Sequence, residues 1–139
     1  MSFRSDTEQQ GFTAPPSEGV KVVKKVLFMV RSAPYGTAAI PESVRACLGF
    51  ATMTGEVSYL LMNDAVWALM PDQQAGLINA ENALEMLRQL NELGVALHVE
   101  TTALQQRDLP LEEVDIPVAP LSQDEISDLI ATVDAVITY

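Results

Sequence analysis

Four short apolar runs, 26–30, 57–62, 95–99 and 133–137, constrain the fold of this chain more than any other feature. Each has the length of a strand, and the wholly apolar run 26–30 is what a sheet covered on both faces requires. The segments between them carry helical spacing. Residues 42–53 place Val44, Cys47, Leu48 and Ala51 on one stripe, and residues 80–93 do the same with Ala83, Leu84, Leu87 and Leu90. Strands alternating with helices predict a single-domain three-layer α/β fold. Its sheet is expected to be mostly parallel, of about five strands, with helices on both faces.

Local signals place the boundaries. Pro41 suits the first turn of the first helix, and Gly55 is positioned to close it. Asn63 and Asp64 are candidate caps for a short helix over 65–70, which Pro71 ends. Asn79 is the candidate cap of the second long helix, and Gly94 its C-terminal glycine. A short helix is expected over 101–106. A proline-interrupted connection follows over 109–120, holding at most a brief strand near Ile116. Ser122-Gln-Asp-Glu125 reads as a capping box opening a helix that runs to about Ala131.

Charge and cysteine usage exclude several function classes. The chain has 139 residues and a formal net charge of −11. Residues 26–139 hold 4 basic and 16 acidic side chains, and no lysine follows Lys25. So acidic a body argues against direct binding to a phosphate backbone. A single cysteine rules out an internal disulfide and a cysteine-based zinc site. One histidine gives no metal-ligand pattern, and neither Gly-x-Gly-x-x-Gly nor a Walker sequence is present, so no metal or cofactor is expected. No apolar run approaches the roughly 20 residues of a membrane span. Residues 1–20 read as a flexible polar tail without the apolar core of a signal peptide, and residues 21–139 as the domain. A cytoplasmic protein without membrane contact is the simplest expectation.

The first strand runs into Arg31-Ser-Ala-Pro-Tyr-Gly-Thr37, a Pro/Gly turn at its carboxyl end. Open α/β sheets place their sites there. Gly36 is free to take positive φ. Arg31, Ser32, Pro34, Tyr35, Gly36 and Thr37 are therefore candidate partner or anion contacts, with the next helix supplying backbone N–H groups. His98 and Glu100 share one face at the end of the third strand, opposite Val95, Leu97 and Val99. The pair suits acid–base work, but reads more simply as a solvated strand end or an interface contact. Cys47 is the one thiol and a weak candidate nucleophile, because its place on an apolar stripe predicts burial.

Four landmarks occur in order: Ser-Ala-Pro-Tyr-Gly-Thr (32–37), Leu-Leu-Met-Asn-Asp-Ala-Val-Trp-Ala-Leu (60–69), Gly-Val-Ala-Leu-His-Val (94–99) and Asp-Ala-Val-Ile-Thr-Tyr (134–139). Together they resemble the DsrE/DsrF/TusC/TusD family of small α/β sulfur-relay proteins over about residues 24–139. The likeness is greatest to the DsrF/TusC branch, with Ala65 departing from a usual glycine. The resemblance implies persulfide transfer, with the sulfur-carrying cysteine of DsrE/TusD members matching Glu100, followed by Thr101. A carboxylate forms no persulfide and a threonine hydroxyl does not replace a thiolate. The resemblance therefore implies a subunit that is not an enzyme on its own. It would support a cysteine-bearing DsrE/TusD-like partner, alongside DsrH/TusB-like subunits or through self-association, in tRNA thiolation or dissimilatory sulfur metabolism. Tyr35 would then be an interface anchor, with Trp67 divided between core and interface. The alternative is a stand-alone homo-oligomer that binds a small anion at the Arg31–Thr37 turn.

Overall fold

A computed structural model describes residues 24–53, 55–71 and 82–139. Its five strands are β1 (Lys25–Val30), β2 (Glu56–Leu61), β3 (Ala96–Glu100), β4 (Ala119–Leu121) and β5 (Ala135–Thr138). All pair in parallel, in the order β4-β3-β2-β1-β5. The helices are α1 (Ala39–Ala51), α2 (Ala83–Glu92), α3 (Thr101–Gln106) and α4 (Gln123–Thr132), with 3-10 helices at Asn63–Leu69 and Leu111–Glu113. The α/β class and the parallel five-stranded sheet agree with the sequence-based expectation. The expected tail and the domain start near Lys21 lie outside the described residues.

The strand order explains where the helices sit. From β1 to β4 the chain steps steadily in one direction, and right-handed crossovers then put every connection on one face. The return from β4 to β5 reverses direction and carries α4 to the other face. The larger core accordingly joins Val26, Phe28 and Val30 of β1 to Ile40, Val44 and Cys47 of α1 and to Leu84, Leu87 and Leu90 of α2. The opposite face carries a small cluster of Leu27, Leu60 and Ile126 under α4 alone. One helix cannot cover five strands, and Val136 of β5 stays 39% exposed. Among the described residues no helix is long and apolar enough to cross a membrane.

Several boundaries differ from expectation. α1 stops at Ala51, where Thr52 takes over, its hydroxyl donating to the Gly49 carbonyl at 2.8 Å. Gly55 instead lies just before β2. Asn82 caps α2, its side chain accepting from the Glu85 N–H at 3.2 Å, and the expected cap Asn79 lies outside the described residues. Asn63 and Asp64 do not cap. They sit inside the 3-10 helix, Asn63 at φ +49° and Asp64 paired with Arg107 at 2.9 Å. The strand expected near Ile116 is formed by residues 119–121; Ile116 is a buried residue of the connection. Pro120 within β4 is tolerated because β4 is an edge strand. The capping box at Ser122 is present with both of its hydrogen bonds. Gly36 and Gly94 both take positive φ, at +90° and +88°.

Candidate functional site

Parallel strands bring their carboxyl ends to one rim of the sheet. The turn 31–37 after β1, the 3-10 helix after β2, Glu100 at the end of β3 and Gln123 just after β4 all lie along it. Glu100 holds three of these ends together. Its side chain is turned inward and the residue is 7% exposed. One carboxylate oxygen accepts from the Asn63 backbone N–H at 3.1 Å, the other from the Gln123 amide at 2.7 Å. The solvated strand end expected for His98 and Glu100 is thus corrected for Glu100, because a buried carboxylate with two donors needs no water. The N–H it accepts belongs to Asn63 in the left-handed region, a conformation asparagine tolerates better than most residues. Ala65, where the resemblance leads one to expect glycine, is fully buried and does not take positive φ. The left-handed residue of this segment is Asn63.

His98 lies two residues earlier on the same face, half-buried. Its Nδ1 is buried without a hydrogen-bond partner, and burial holds the imidazole pKa below its usual value. No hydrogen bond or ion pair joins His98 to Glu100 among the described residues, so they do not form an acid–base couple in this structure. Among those residues no group of three or more His, Cys, Asp or Glu is placed to hold a metal.

The first turn is largely occupied with its own backbone. The Thr37 hydroxyl donates to the Ala33 carbonyl and accepts from the Ala39 N–H, both at 3.3 Å. That second bond satisfies one of the N–H groups that an anion at the start of α1 would use. Pro34 is buried, Ser32 half-buried, and Arg31, Gly36 and Thr37 are exposed. Tyr35 is half-buried against the core, and its hydroxyl accepts from the Ala83 N–H at 3.1 Å, satisfying a donor in the first turn of α2. Trp67 projects from the 3-10 helix and is 43% exposed. Thr101, next to Glu100, opens α3.

Cys47 belongs to the larger core. It is fully buried in α1, and burial pushes its thiol up to about 12. A thiol titrating near 12 rather than 9 holds about a thousandfold less thiolate at pH 8. Burial both withholds the thiolate and denies the reagent access, so iodoacetamide at pH 8 should label the native protein on the order of a hundredfold or more slower than the protein unfolded in guanidinium. Fast native labelling, followed by mass spectrometry, would show that the thiol is reachable and reactive.

Sequence reasoning located Glu100 but missed its partner Gln123 and the Arg107–Asp64 ion pair. The capping box did fix Gln123 as the first residue of α4, which was the available signal for the former. Comparison with known proteins gives a consistent placement. TusC of Klebsiella pneumoniae (strain 342) is 33% identical over 69 residues, 50% of this chain and 58% of that protein. The match thus spans little more than half the length of that relative. TusC of Escherichia coli (strain K12 / DH10B) is 24% identical over 119 residues, 84% of this chain and all of that protein. The crystal structure of the YchN protein from E. coli superposes with a TM-score of 0.74 at 24% identity, over 84% of this chain and 99% of that one, and shows the shared fold. The DsrE/DsrF-like family model matches residues 24–139. The chain belongs to the DsrE/DsrF-like family.

Proposed function

We propose that this protein is a non-catalytic, DsrF/TusC-like subunit of a cytoplasmic sulfur-relay complex, supporting a cysteine-bearing DsrE/TusD-like partner. One observation carries the reading: Glu100, which the resemblance sets at the family's sulfur-carrier position, is a buried carboxylate already committed to two hydrogen bonds. The only cysteine, Cys47, is sealed in the core of α1 and offers no substitute. The likeness to proteins named TusC supports the same reading. Sulfur chemistry would then reside on the partner's cysteine, and this chain would contribute surface. The family resemblance supplies two settings, tRNA thiolation and dissimilatory sulfur metabolism. The anion-binding alternative has no comparable support, since the Thr37 hydroxyl and the Ala39 N–H already satisfy each other.

Native mass spectrometry of the assembly captured from its own cells tests this. The expected result is a fixed-stoichiometry complex with cysteine-bearing relatives. Exposure to a persulfide donor should add sulfur to the relatives and none to this chain. A homo-oligomer alone, or a persulfide on Cys47, would overturn the proposal.

A further inference from the structure

An open cleft of about 730 Å³, with Thr101 in its lining, lies between α3, the following connection and β4. That size is within the range of clefts that hold peptide side chains or small ligands. Its walls are chiefly aliphatic, with Leu104, Leu109, Pro110, Leu111 and Pro120 lining it. Among the described residues its only charged lining residue is acidic. Asp108 lines the cleft, and Glu112 and Glu113 directly follow Leu111; all three are exposed. Among the described residues none of the three pairs with a cation. The neighbouring arginines are engaged elsewhere. Arg107 donates to Asp64 and to the Ala103 carbonyl, and Arg88 pairs with Glu85 and Asp115. The cleft therefore combines an apolar floor with an uncompensated acidic border, which repels anions and complements aliphatic groups flanked by cations.

We propose that this cleft receives a short polypeptide segment in which aliphatic side chains alternate with lysine or arginine. The aliphatic groups would cover Leu104, Leu109 and Leu111, while the basic groups would meet Asp108, Glu112 and Glu113. This site is separate from the sulfur-relay reading: a chain that joined no cysteine-bearing partner would still bind such a segment.

Fluorescence polarisation of the full-length protein with an end-blocked, dye-labelled heptapeptide of alternating arginine and leucine tests it. Binding should weaken with added salt. It should fall at least fivefold when the peptide's leucines become serine, and likewise when its arginines become glutamine. The triple variant Asp108→Asn, Glu112→Gln, Glu113→Gln should weaken it at least about fivefold, as three exposed charge contacts would. Asparagine keeps the left-handed backbone at 108, φ +51°. A control triple variant, Glu42→Gln, Glu92→Gln, Asp128→Asn, removes the same charge from exposed sites on α1, α2 and α4 and should change binding less than twofold. Equal losses in the two triple variants would mean general attraction to an acidic body and would overturn the proposal. So would undiminished binding of the serine peptide, or no binding of the parent peptide.

Discussion

Replacing Phe28 with alanine is expected to remove about 3–5 kcal/mol of folding stability, seen as a lower denaturant midpoint at unchanged slope. Phe28 is fully buried on β1, which has β2 on one side and β5 on the other. Its ring meets Phe50 of α1 edge-on, with centroids 5.8 Å apart, and stacks on Tyr139 at 6.3 Å. Tyr139 is itself tied to β1 by its N–H to the Met29 carbonyl and its carbonyl to the Arg31 N–H. The truncated site would thus be walled by groups fixed from several directions, and such cavities collapse poorly. Phe28→Leu should cost about half as much, since it leaves less empty volume. A loss below 1 kcal/mol for the alanine variant would show that Phe50 and Tyr139 close the gap.

What could be read from the sequence divides along the range of the interactions. The Ser122 box was legible because its two halves lie three residues apart, and Cys47 because its stripe repeats within one helix. The cap of α2 was also written locally: Asn82-Ala-Leu-Glu85 has the spacing of a capping sequence, whereas Asn79 has asparagine three residues on. β4 carries no such signal. A three-residue edge strand containing proline has neither length nor alternation, and it exists because His98, Val99 and Glu100 offer it a register. The inward turn of Glu100 was hidden for the same reason. Its donors come from positions 37 and 23 residues away in sequence, so a carboxylate at a strand end looked solvated. The resemblance in the sequence singled out Glu100, but only the fold gave it partners.

Glu100 also provides the second large expected effect, and the contrast between two substitutions isolates its role. Glu100→Ala should cost about 1–3 kcal/mol, because it removes the acceptor of two hydrogen bonds, both of them charge-assisted. The N–H of Asn63 and the Gln123 amide would lose their protein partner, and Asn63 would lose what restrains its left-handed backbone. Glu100→Gln should stay within about 1 kcal/mol of wild type. Its amide oxygen can still accept from Asn63, and Gln123 can turn its own oxygen toward the new NH₂ group. Hydrogen exchange at the Asn63 amide reads this clip directly: fast in the alanine variant, slow in wild type and in the glutamine variant. Assembly should follow the clip rather than the charge, so the glutamine variant would keep any cysteine-bearing partner that the alanine variant loses. Equal exchange in all three proteins would place the order of these strand ends in the β2–β3 pairing alone, with no clip at Glu100.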